Sequence, residues 1–293
     1  MSGTIDAGGI TLAYEETGSG EPVVLVMGAG SPGRVWRPYQ VPALTAAGFR
    51  VITFDNRGVG GSSECPEGFT LADLTEDLAA VIEQVAGGTA HVVGTSLGAR
   101  MAQRLAMTRP ELVDRLALLA TRARADAALT TFARAQIAVQ QQGLALPPEV
   151  SVALGALANL SPASLRDEVT AEDWLAMLSM APPTPSAGVR RQFEAALTHF
   201  PPSVSELGRI TAPTLVLAFA DDRLSPPHLG VEVAEAIPRA HCEVLPETGH
   251  FGYLERPEEV NDLLVRFLTD RSPDRPRRGH RQTGGSHSGP SDD

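Results

Sequence analysis

The chain has 293 residues, of which 43% are hydrophobic and 20% charged, with a net charge of −11. Such a chain is long and apolar enough for one large domain, or one domain carrying a sizeable insertion, around a real core. The acidic balance disfavours nucleic acid or an anionic membrane as main partner, and no apolar run approaches the ~20 residues of a membrane helix.

All 24 basic residues are arginine. Schiff-base catalysis, pyridoxal-phosphate anchoring and a P-loop lysine are therefore excluded. Two cysteines, Cys65 and Cys242, are too few for a disulfide framework. Met1 to Gly20 lacks a charged start followed by an apolar stretch, so a cytoplasmic location is the expectation.

In chain order, an amphipathic stretch at Ile10–Glu15 reads as an antiparallel edge strand. Buried strands are predicted at Pro22–Met27, Val51–Phe54, His91–Gly94, Arg115–Ala120, Thr214–Phe219 and Ala240–Leu245. Helices are predicted at Leu71–Val85, Leu97–Thr108 and Glu258–Thr269, the last opened by Pro257 where a missing N–H costs nothing. Alternating strands and helices predict an α/β fold with a parallel sheet. That alternation breaks between about Thr121 and Arg209, where helical periodicity appears at Ala123–Gln142, Pro148–Leu160, Ala171–Met180 and Ala187–His199. Strands resume afterwards, so the block reads as an inserted helical cap. The expected organisation is a core of residues 1–121 and 210–270, a cap at 122–209 and a disordered tail at 271–293, the tail having scarcely an apolar residue.

Gly94-Thr-Ser96-Leu-Gly98 falls between a predicted strand and an alanine-rich helix. G-x-S-x-G in that context is the pattern of a nucleophile elbow, a serine held at a strained strand-to-helix turn. Glycines on both sides let strand and helix approach without Cβ clashes. A serine at its free pKa needs a base. Of seven histidines, His280 and His287 lie in the tail, while His199 and His228 lie in the cap or a loop. His91 and His241 lie near strand starts, away from the carboxyl edge where open α/β sheets bind ligands. His250 follows the strand ending at Leu245, at the correct edge. The carboxylate that orients it is sought at Asp221-Asp222, closing the strand from Thr214. Asp222 is preferred, with Asp221 as a turn cap and Asp126 as an outside alternative.

Five motifs now stand in order: Met27-Gly28-Ala29-Gly30-Ser; Phe54-Asp55-Asn-Arg57-Gly58-Val-Gly60-Gly-Ser62; Gly94-Thr-Ser96-Leu-Gly98; Asp222-Arg-Leu-Ser-Pro226; and Gly249-His250-Phe. Together, over about residues 10 to 269, they resemble the α/β-hydrolase superfamily, specifically its cap-bearing serine esterases, lactonases and perhydrolases. The resemblance implies a mostly parallel eight-stranded sheet flanked by helices. It also implies an oxyanion hole from the backbone N–H groups of Leu97 and Ala29, and the D-x-x-x-P spacing again selects Asp222. Many relatives carry His-Gly where this chain has Met27-Gly28, so no imidazole stands at that position here. Asp55 and Arg57 are read as a structural loop, and Arg100 as an ion-pair partner.

The expected reaction is cleavage of a carboxylic ester, lactone or thioester through an acyl-enzyme on Ser96, without cofactor or metal. A cofactor-free perhydrolase or haloperoxidase-like activity, and a secondary-metabolite tailoring hydrolase or cyclase, are the alternatives. A binding protein on the same fold has no need of an intact Ser–Asp–His set. The expected partner is a small-to-medium apolar molecule, lined by Met27, Trp174, Met177, Phe193 and Phe251, with Phe132 and Met180 as further cap residues.

Overall fold

In the computed structural model, which describes residues 1–180, 186–198 and 203–270, the apolar runs form β1 (Ser2–Asp6), β2 (Thr11–Gly18), β3 (Glu21–Val26), β4 (Phe49–Phe54), β5 (Ala90–Thr95), β6 (Val113–Leu119), β7 (Thr214–Phe219) and β8 (Ala240–Leu245). Their order in the sheet is β1-β2-β4-β3-β5-β6-β7-β8. β1 with β2 and β2 with β4 are antiparallel, and every pair from β4 to β8 is parallel. Every side chain of β5 and β7 is buried. Strands covered on both faces have no polar face to show, which is why these runs do not alternate.

Two strand expectations need correction. The stretch at Ile10–Glu15 is not the edge, because β1 pairs outside it. β1 escapes a pattern search because Ser2–Asp6 is polar and only half-buried on alternate positions. At the other end, Ala240–Leu245 is not a buried strand: it closes the sheet at β8 and leaves His241, Glu243 and Val244 exposed.

Helices cover both faces. α1 (Gln40–Ala46), α10 (Gly252–Glu255) and α11 (Pro257–Thr269) bury Leu44, Tyr253, Val260 and Leu264 against Val23, Leu25 and Val93. On the opposite face, α2 (Leu71–Val81), α3 (Leu97–Thr108) and α9 (Pro227–Ala236) bury Leu74, Leu78, Met101, Leu105 and Val233 against Val24, Val92 and Leu118. α2 starts on a capping box between Thr70 and Asp73, but stops short of Val85 in a π-turn at Ile82–Ala86 that Gly87 ends at φ +95°.

Between β6 and β7 lie α4 (Ala127–Gln141), α5 (Pro148–Asn159), α6 (Pro162–Arg166), α7 (Glu168–Ser179) and α8 (Ala187–Thr198). α4 begins later than expected because Asp126 caps it, its carboxylate accepting the Leu129 N–H at 2.7 Å. That cap also accounts for Asp126, the outside alternative for the acid. α6 was not anticipated, being too short to show a period, and α7 starts three residues before Ala171 because Asp167 caps it. His199, Pro182-Pro183, Pro201-Pro202 and the tail 271–293 lie outside the described residues. No helix among the described residues is long and apolar enough to cross a membrane.

In the loop after β4, Asp55 and Arg57 are both engaged in holding the chain, in line with the structural loop that the resemblance implies. Asp55 accepts the N–H groups of Gly33 and Gly61 at 2.7 and 2.8 Å. Arg57 forks onto Asp77 with two contacts of 2.6 Å. Asp77 is 1% exposed, so Arg57→Ala strands a buried carboxylate. The expected result is a loss of about 3 kcal/mol, read as a lower urea midpoint at unchanged slope.

Candidate active site

The turn from β5 into α3 carries Ser96 at φ +54°, ψ −113°, a conformation that non-glycine residues avoid and that costs about 1–3 kcal/mol. What holds it there is backbone contact. A Cβ on Gly98 would lie 2.2 Å from the Val26 carbonyl oxygen, and one on Gly94 would lie 2.4 Å from that of Gly98. The Ser96 N–H is tied to the Leu119 carbonyl of β6 at 3.0 Å. From Ala90 to Ala102 every residue is buried except Ser96, which keeps partial exposure. The first turn of α3 closes from the Arg100 N–H to the Ser96 carbonyl at 3.2 Å. The N–H groups of Leu97, Gly98 and Ala99 therefore precede any intrahelical bond.

The loop after β3 lies against this turn: a Cβ on Gly28 would sit 3.3 Å from the Ser96 Cβ and 3.9 Å from its Oγ. Asn56 pins the loop by donating to the Met27 carbonyl at 3.0 Å. Gln192 of α8, fully buried, accepts the Gly30 N–H and donates to the Arg57 carbonyl, both at 2.7 Å. Gln192 carries no signal in the sequence, where it is one polar residue in a helical pattern.

β7 and β8 deliver the remaining groups to the same edge. His250 and Asp222 are 7% and 3% exposed, with Nδ1 and Oδ2 2.8 Å apart. The other Asp222 oxygen accepts the N–H groups of Leu224 and Ser225, both at 2.8 Å. An ionised carboxylate only accepts, so the contact calls for the His250 proton on Nδ1, and in the neutral ring the lone pair is then on Nε2. Burial alone would raise the Asp222 pKa, but the His250 ring and the two N–H donors outweigh it and hold the carboxyl below its usual range. Its contribution to stability is thus complete above the ordinary carboxylate pKa and disappears as the pH falls through the depressed one. Asp221 uses its N–H on the Thr248 carbonyl at 2.8 Å, tying the acid loop to the base loop.

His91 is buried between Asp114 and Glu21 at 3.1 and 3.5 Å, and His241 is edge-on to Phe267. Arg100 is buried and donates to the Ala196 carbonyl at 2.6 Å, and burial with nearby Arg122 lowers its pKa to about 9. Met27 corrects the pocket expectation. It is 2% exposed and packs in the core with Trp36, Phe219 and Tyr253, because its side chain falls on the α1–α11 side of the sheet. Met177 is 45% exposed on α7, and Trp174 and Phe193 are half-buried. Phe251 is half-buried beside His250, ring centroids 6.4 Å apart.

A family profile described as alpha/beta hydrolase fold matches residues 21–257. The chain belongs to this family, and it is an α/β-hydrolase enzyme. It is 44% identical over 262 residues to the "Putative non-heme bromoperoxidase BpoC" of Mycobacterium tuberculosis, covering 88% of this chain and 98% of that one. The crystal structure under that name superposes with a TM-score of 0.84, covering 88% and 95%. The "Putative carbamate hydrolase RutD" of Azorhizobium caulinodans is 30% identical, covering 89% and 96%. A structure of a hydrolase from Pseudomonas aeruginosa is 31% identical with a TM-score of 0.78, covering 92% and 98%.

Gly98→Ala places a methyl group inside the Val26 carbonyl. The expected outcome is a loss of more than about 4 kcal/mol, seen as collapse of soluble yield or of the denaturation midpoint.

Proposed function

We propose that the enzyme is a serine hydrolase that cleaves an ester, lactone or thioester through an acyl-enzyme on Ser96. The observation that carries this reading is the buried His250–Asp222 pair at 2.8 Å, with the second Asp222 oxygen held by two backbone N–H groups. Such a pair is oriented to take a proton on Nε2. In the proposed cycle His250 accepts the Ser96 hydroxyl proton as Oγ attacks the carbonyl carbon. The negative charge forms on the carbonyl oxygen, between the N–H groups of Leu97 and Ala29. His250 then gives the proton to the leaving oxygen or sulfur, and a water activated by the same nitrogen releases the acid. Asp222 remains ionised and stabilises the imidazolium. Residues 122–209 act as the cap, and half-buried Trp174, Phe193 and Phe251 favour a small-to-medium apolar acyl group.

A second reading has one observation in its favour, the likeness to a protein named as a bromoperoxidase. Here hydrogen peroxide replaces water on the acyl-enzyme, releasing a peracid and regenerating the serine hydroxyl, and the peracid oxidises bromide.

A fluorophosphonate is expected to label Ser96. Ser96→Ala should lower kcat on a chromogenic short-chain ester by on the order of 10⁴–10⁶. An unlabelled Ser96 together with normal turnover by the alanine variant sinks the proposal. Asp222→Asn, which inverts the His250 tautomer preference, should cost on the order of 10⁴ in kcat. For the second reading, peroxide- and carboxylate-dependent bromination should vanish in Ser96→Ala, and bromination that survives there rules out the acyl-enzyme route.

A further inference from the structure

The loops bearing Asp222 and His250 are gripped from the insertion side by one short segment, the C-terminal end of α5 and the start of α6. A helix end presents carbonyls without intrahelical partners. Here the acid loop takes two of them, Arg223 donating to the Leu157 and Leu160 carbonyls at 2.8 and 3.1 Å. The base loop takes another, the Phe251 N–H donating to the Asn159 carbonyl at 3.0 Å. Between these lies Gly249, immediately before His250. A Cβ there would stand 2.5 Å from the Asn159 oxygen and 2.8 Å from the Ser161 nitrogen, so the two backbones touch.

Glu255 closes the arrangement. One carboxylate oxygen accepts the Gly249 N–H at 2.6 Å. The other accepts the Ser161 N–H at 2.8 Å and the Ser164 hydroxyl at 2.7 Å. Ser161 itself caps α6, accepting the Ser164 N–H on its hydroxyl. A single side chain from α10 thus ties the residue preceding His250 to the first turn of an insertion helix. It spends both oxygens on this bridge, and its donors are backbone or short hydroxyl groups with little freedom to move.

We infer that Glu255 is a positioning residue, which sets the seat of His250 by bolting its loop to the α5–α6 corner of the insertion. This rests on the reading of His250 as the base. Glu255 touches no reacting atom, and it acts by limiting where the imidazole sits relative to Ser96. A displacement of about 1 Å at a reacting centre can cost about 10²-fold in rate. Removing the bridge should therefore appear in turnover and leave substrate affinity nearly untouched.

The test compares Glu255→Ala and Glu255→Gln in the native and His250→Ala backgrounds. It measures kcat, KM and the second-order rate of fluorophosphonate labelling at Ser96. Glu255→Ala is expected to lower kcat and the labelling rate about 10- to 100-fold, with KM changed less than about twofold. Glu255→Gln, which keeps an acceptor for one side of the bridge only, should fall between. With His250 already replaced, the Glu255 change should cost less than about twofold more, because there is no base left to misplace. Native kcat and labelling in both Glu255 variants overturn the inference, as does a loss of the same size in the His250→Ala background. If Glu255→Ala fails to fold by circular dichroism, Glu255→Gln carries the same comparison. A native chain whose Ser96 resists labelling overturns the nucleophile instead, a result separate from any effect at Glu255.

Discussion

The site depends on a contact between backbones that any side chain would prevent. α3 comes down on β3 and β5 so closely that Gly98 and Gly94 have no room for a Cβ. Because the helix cannot retreat, the chain must turn sharply between them, and the residue at the turn takes a positive φ. That strain is held by the burial of the residues around it, the interior being too closely packed to yield. The same contact brings the Gly28 loop against Ser96 and leaves the first N–H groups of α3 facing the turn. Position, strain and donors share one cause.

Electrostatic order follows a second constraint. A carboxylate as buried as that of Asp222 is costly unless each oxygen has partners. One oxygen has two backbone N–H groups, and the other has His250. The histidine is thereby held in one tautomer. The α5–α6 segment then fixes the loops that carry the pair, through Arg223, the Phe251 N–H and Glu255, while α8 fixes the loop after β3 through Gln192. The helices between β6 and β7 thus touch the loops around all three candidate site residues.

Local chemistry made much of this readable. β7, β8 and α3 lie at the residues predicted for them, whereas the Asp126 cap that delays α4 to Ala127 was not read from the sequence. Elements that draw their stability from a partner were not readable. β1 is polar and exists because β2 offers it an edge. α6 is five residues long and is anchored by Ser161, Ser164 and the carboxylate of Glu255. Met27 looked available to a ligand because apolarity alone does not say which face of a sheet a side chain meets.

The amino-acid sequence by itself determined the fold class, the candidate nucleophile, base and acid, and their order along the chain. Each of these is encoded within a few residues, by glycine spacing or by the end of an apolar run. The tertiary structure alone decided which apolar residues are core, and that Gln192 and Glu255 tie the helices between β6 and β7 to the site. The hydrogen bonds of Gln192 and Glu255 join segments up to 162 residues apart, and bonds over such separations leave no period or motif in the chain.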